Sequence, residues 1–137
     1  MEKNINTERG KSFVIAKQVI ILGALIGLVF VCIIYGYACW NIRSGVKEIS
    51  AEAVREYPVE RVDALIEYVQ SEKHSLKDRN SGVWALGQLG DERALPVLEK
   101  FYVGEPCDHD KYLCQRELKH AIGLCKGGLN LCAWVCR

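Results

Sequence analysis

The sequence predicts an all-α chain, with one membrane-crossing helix near the N-terminus and then a small domain of helical hairpins. Three observations carry this. Residues 19–40, VIILGALIGLVFVCIIYGYACW, form a run of 22 residues without a charge. Beyond them, apolar residues recur at the steps of three and four that line one face of a helix. Two such stripes are joined by Gly90-Asp91, and a degraded copy of the same pattern returns at an offset of 36.

As a helix, the uncharged run extends about 33 Å at about 1.5 Å per residue, against a bilayer hydrocarbon core of about 30 Å. A lone segment crosses lipid only as a helix, because every backbone N–H and C=O must be satisfied within it. The core helix of a soluble domain would keep a polar stripe, and this run has none. A cleaved signal peptide fits poorly, since its apolar region is about 7–15 residues long. Gly36-Tyr37-Ala38-Cys39 resembles a lipoprotein cleavage site, but Gly and Tyr stand where that site takes a branched apolar residue and a small one. Gly23 and Gly27 have the four-residue spacing that lets two membrane helices approach closely, which makes this helix a candidate homodimer contact. Tyr35, Tyr37 and Trp40 cluster at its distal end, where amphipathic rings suit a membrane–water interface.

The chain therefore divides into an arm (1–18), a transmembrane helix (19–40), a juxtamembrane segment with a first helix (41–57) and a helical domain (58–137). The arm carries Lys3, Arg9, Lys11 and Lys17 against Glu2 and Glu8. Only Arg43, Lys47 and Arg55 follow closely on the far side, so the basic excess favours a cytoplasmic N-terminus and an extracytoplasmic domain. From Asn41 onward 14 Lys+Arg face 15 Asp+Glu. That balance gives no basic patch for phosphate, and no nucleic-acid partner is expected. The residues after the run suffice for one small domain.

In residues 41–57, Gly45 reads as a break and Ser50 as the N-cap of a short helix ending near Tyr57. Pro58 stops that helix and opens the next in its first turn, with Val59, Val62, Leu65, Ile66 and Val69 as the apolar stripe. Residues 71–75 are a polar turn, in which His74 is expected to be solvated. In residues 77–102, Val83, Trp84, Leu86 and Leu89 share a helical face. Gly90 then supplies a left-handed stop and Asp91 a cap. Ala94, Leu95, Val97, Leu98 and Phe101 form the second stripe, with Pro96 near the helix start, where its missing N–H costs least. The short Gly90-Asp91 connection makes the two helices antiparallel neighbours, an αα-hairpin.

Trp84-Ala-Leu-Gly-Gln-Leu-Gly-Asp91, followed by Arg93-Ala-Leu-Pro-Val-Leu98, resembles the HEAT-like repeat of the phycobilisome-lyase type, whose units run A-L-G-x-L-G-D…A-L-P-x-L. The copy at an offset of 36 aligns Ala85-Leu86-Gly87 with Ala121-Ile122-Gly123 and Leu95 with Leu131. Ala64-Leu65 echoes Ala94-Leu95 on the other side. The resemblance implies a short α-solenoid of about three hairpins, each sheltering the next. Small Ala85, Gly87, Ala121 and Gly123 fit places where helices pack closely.

Function follows from the same pattern. The resemblance implies that second helices line the concave side, so Glu92, Glu99, Lys100 and Tyr102 are the candidate partner-binding positions. The expectation is a membrane-anchored scaffold or accessory subunit that contacts another protein, with no catalysis and no cofactor. The alternative that the resemblance implies is a subunit of a bilin lyase-like enzyme, although the chain is short, anchored and without an evident chromophore pocket. A disulfide-stabilised envelope protein without catalytic activity is a third reading. Cys107, Cys114, Cys125, Cys132 and Cys136 crowd the last 31 residues, a density suited to an oxidising compartment. Cys107 could reach Cys114, and Cys125 could meet Cys132 or Cys136 across the Gly127-Gly128 turn. A zinc site from Cys107, His109, Cys114, His120 and Cys125 is the weaker use of the same residues, since no C-x2-C pair exists. No nucleophile elbow, phosphate loop, HExxH or dinucleotide fingerprint is present.

Overall fold

A computed structural model describes the backbone of residues 2–104, 107–108 and 111–136, and the side chains of 17–104, 107–108, 111–132 and 135–136. The side chains of the arm charges up to Lys11, and His109 of the zinc alternative, lie outside the described residues. The described residues form helices, turns and no strands. In order these are α1 (Glu2–Glu56), α2 (Arg61–Gln70), α3 (Leu76–Leu89), a 3₁₀ turn (Glu92–Ala94), α4 (Leu95–Phe101), α5 (Gln115–Cys125) and α6 (Ala133–Cys136). The chain separates into two units, residues 1–38 and 39–137.

In the first unit α1 is long and apolar enough to cross a membrane. Its leucines, isoleucines and valines are exposed all round, from Val19 to Ile34. Gly23 and Gly27 leave open space where a Cβ would stand.

The second unit begins with the rest of α1. Cys39, Val46, Ile49 and Ala53 are buried at steps close to the helical period, with Ile42 packed beside them. Here the structure departs from the expected break at Gly45, because the helix runs through it to Glu56. A glycine costs a helix only about 1 kcal/mol relative to alanine, and this one makes room for a ring. A Cβ at Gly45 would stand 3.0 Å from the Trp84 indole. Ser50, expected as a cap, is a buried mid-helix residue.

Pro58 lies in the connection ahead of α2, with Val59 exposed, and the helix starts later than the sequence suggested. Glu60 is its N-cap and accepts from the Val62 N–H at 3.0 Å. The inward face holds Val62, Ala64, Leu65, Tyr68 and Val69. Ser75 caps α3 by accepting from the Asp78 N–H, and Gly90 ends it in the left-handed region at φ 63°, as its place after the stripe predicted. Asp91 accepts from the Arg93 N–H at 2.9 Å, and Pro96 sits in the first turn of α4, where no donor is needed.

The expected α3–α4 hairpin is not the main packing: α3 rests chiefly on α2 and α5 rather than on α4, while α4 rests on α5. Small residues decide this. A Cβ at Gly82 would come within 2.7 Å of Val69 on α2, and one at Gly87 within 2.8 Å of the Ala121 backbone on α5. The α4 stripe is instead large: Leu98 fully buried, Leu95 and Phe101 packed beside it. Gly87 and Ala121 thus fill the close-packing role expected of them, whereas Gly123 is exposed and meets nothing.

Candidate interaction surface and cysteine network

The predicted partner face begins at the 3₁₀ turn. Glu92 is exposed there, and Glu99 and Lys100 are exposed on α4. Glu99 is already engaged, with its Oε1 2.7 Å from Lys126 Nζ at the end of α5. Lys100 Nζ stands over its neighbour's ring, 5.8 Å from the centre of Phe101. Tyr102 is half-buried and closes α4 through its N–H, which donates to Glu99 O. Glu92 and Lys100 are therefore the more open of the four.

Next to Glu92 in the chain, Arg93 is the centre of an exposed ion cluster. Arg93 Nη2 is 2.9 Å from Asp91 Oδ2 and 3.0 Å from Glu60 Oε2, and Nη1 is 3.4 Å from Asp63 Oδ2. Hydrogen bonding to Asp91 foremost, then the charges of Asp91 and Glu60, hold the guanidinium well above its already high pKa. One exposed arginine thereby ties the turn before α4 to the start of α2.

Two buried polar side chains escaped the sequence reading, because each looks like an ordinary helix residue. Gln115 has no exposed surface. Its Oε1 accepts from the Val103 N–H at 2.8 Å and the Gly104 N–H at 3.2 Å, while Nε2 donates to Leu113 O at 2.9 Å and Phe101 O at 3.3 Å. It satisfies a connection whose backbone leaves both α4 and α5 short of partners. Arg79 donates from Nε to Val69 O at 2.8 Å and lies over the Phe101 ring. It thus satisfies a carbonyl in the last turn of α2.

Aromatic packing corrects the reading of His74. The imidazole stacks on Tyr68 with ring centres 3.8 Å apart, and its Nε2 is 3.2 Å from Glu56 Oε2. A tyrosine on the preceding helix supplies a platform that local polarity around His74 could not reveal. Tyr68 donates its hydroxyl to Glu52 Oε1 at 3.1 Å. Burial, then that hydrogen bond, push its pKa up from 10.0 to about 12. Two shallow grooves flank the half-buried Trp84. One, of about 310 Å³, is lined by Asn80, Ser81, Cys114 and Glu117; the other, of about 300 Å³, by Gly45, Glu48, Ile49, Glu52 and Asp78 with Ser81.

The cysteines come together in an unexpected order. Cys132 is disulfide-bonded to Cys39, with their Cα atoms 5.5 Å apart across a sequence separation of 93. It does not meet Cys125, which lies in the core as a free thiol donating to Leu86 O. Burial chiefly, and the charge of Asp91, push the Cys125 thiol up from 9.0 to about 11. Cys136 is also buried and free, raised by burial and held back by Arg61 and Arg43. Cys107 and Cys114 are free with sulfurs 3.9 Å apart, so those two expected neighbours are brought together. Among the described residues, no three His, Cys, Asp or Glu side chains gather as metal ligands do.

A family model described as PBS lyase HEAT-like repeat matches residues 78–103, which covers most of α3, the Gly90-Asp91 connection and α4. This supports a HEAT-like repeat in the chain. No curated protein and no solved structure matches the sequence.

Proposed function

We propose that this protein is a membrane-anchored interaction module. In this reading α1 crosses a bilayer once, and the helical domain beside it is a docking platform for another protein, with no catalysis of its own. The observation that supports it most is the bare apolar surface of α1 between Val19 and Ile34, attached to a domain with a HEAT-like repeat. So long an apolar stretch in water would be a liability, and lipid removes it.

In chain order the helices make three repeat units, the last turns of α1 and α2, α3 and α4, and α5 and the short α6, whose main contacts run between units: α3 on α2 and α5, and α4 on α5. The middle one carries the repeat match, and the outer two act as caps. Glu92 and Lys100, with Glu99 and Tyr102 beside them, form the face that meets the partner. The N-terminus is cytoplasmic and the domain extracytoplasmic. A Cys39–Cys132 disulfide favours that side, since such bonds persist in oxidising compartments. The anchor also carries Gly23 and Gly27 as a contact for a second copy.

The test uses the full chain in cell membranes. After alkaline carbonate washing the protein stays in the pellet. Chemical cross-linking then captures a partner that the Glu92→Ala/Lys100→Ala variant captures poorly. Release by carbonate removes the anchor, and unchanged capture by the variant removes the proposed face.

A further inference from the structure

We propose that residues 127–131 form a second membrane contact, seated in the headgroup–acyl boundary beside the point where α1 leaves the bilayer. This rests on the reading of α1 as an anchor.

The loop has its polarity reversed. Leu129 is 86% exposed and Leu131 63%. Asn130, between them, turns inward: its Nδ2 donates to Gln88 O at 3.0 Å and its Oδ1 accepts from the Cys132 N–H at 3.1 Å. A loop facing water places amides outside and leucines inside. The surrounding sequence agrees, for no charged residue stands between Lys126 and Arg137.

The disulfide states what covers these leucines. Cys132 is bonded to Cys39, the next-to-last residue of the uncharged run, with Cα atoms 5.5 Å apart. Leu131 precedes Cys132 by about 3.8 Å along the chain, and Leu129 lies no more than about 11 Å from Cys132. Where α1 emerges from lipid, the loop emerges with it. Trp40, exposed on the same stretch of helix, is of the type that settles at this depth, and Arg43 is exposed one turn further on, where headgroup phosphates lie. The occupant is a lipid surface.

The full chain is reconstituted in vesicles of phosphatidylcholine and phosphatidylglycerol, with p-benzoylphenylalanine replacing Leu25, Leu129 or Glu92 in turn. After irradiation, lipid adducts are counted by mass spectrometry. Adducts are expected from positions 25 and 129, and at least an order of magnitude fewer from 92. Adducts from 25 without any from 129 overturn the loop contact and leave the anchor standing. A protein adduct in place of lipid at 129 overturns it as well, in favour of a second copy. Adducts from neither 25 nor 129 overturn both the loop contact and the anchor. With Cys39→Ser/Cys132→Ser added, the yield at 129 is expected to fall several-fold while that at 25 holds. An unchanged yield at 129 overturns the disulfide as the tether.

Discussion

The α3–α5 contact gives a pair of glycine substitutions opposite signs, although Gly87 and Gly123 stand at equivalent positions in the internal repeat. At Gly87 an added methyl lands 2.8 Å from Ala121 Cα and 2.9 Å from its Cβ, well inside the ordinary carbon contact of about 3.5–4.0 Å. The obstacle is backbone, which cannot rotate aside, so the two helices must part. Overpacking of this kind costs about 1–3 kcal/mol, against about 1 kcal/mol gained by replacing a helical glycine with alanine. Gly87→Ala therefore destabilises by about 1 kcal/mol net. Gly123 meets nothing within 4 Å, and Gly123→Ala keeps the helix gain of about 0.5–1 kcal/mol. The variants differ by about 1.5–2 kcal/mol, or about 6–16 °C in Tm for a domain of this size. Thermal unfolding of the full chain in lipid nanodiscs, followed by near-ultraviolet circular dichroism, reads the difference. Equal stabilisation by both substitutions would falsify the close approach of α3 to α5.

Further outcomes follow from the buried polar groups and the ion cluster. Gln115→Leu strands the Val103 and Gly104 N–H groups, and chemical denaturation should register a loss of about 1–3 kcal/mol for each group left without water. A loss under about 0.5 kcal/mol would mean the amide is not holding that connection. Tyr68 should ionise near pH 12 in an absorbance titration, against about 10 once unfolded. Because the folded pKa is the higher, its contribution is complete below pH 10 and is lost as pH rises toward about 12; a midpoint at 10 in the folded protein contradicts the buried hydroxyl. Arg93→Gln should lower the Tm slightly at low salt and not at all at high salt, since its partners are exposed and screened. An undiminished effect at high salt argues for another role. Cys125, buried and with its thiol raised to about 11, should resist alkylation at neutral pH until the domain unfolds.

Much of the fold is legible locally. The Gly90 stop, the Asp91 cap and the two stripes around them are each set by a residue and its immediate neighbours, and the repeat match falls on this stretch. The step at Gly45 misleads because glycine weakens a helix without ending it. The buried series Cys39, Val46, Ile49 and Ala53, with Ile42 packed beside it at helical spacing, outweighs that cost. Pairing of Cys39 with Cys132 is invisible to an argument built on adjacent hairpins, because 93 residues and the whole domain lie between them. Gln115 and Arg79 are missed for a related reason. Their partners are backbone groups whose need arises only when the chain has folded.

The most direct test of an anchored domain on the oxidising side is the state of the chain's seven cysteines. Free thiols are blocked in intact membranes, the protein is digested without reduction, and disulfide-linked peptides are identified by mass spectrometry. A linked pair joining the peptide with Cys39 to the peptide with Cys132 is predicted, with Cys125 recovered as a thiol. Recovery of Cys39 and Cys132 both alkylated and unlinked would contradict an oxidising location and detach the C-terminal segment from α1.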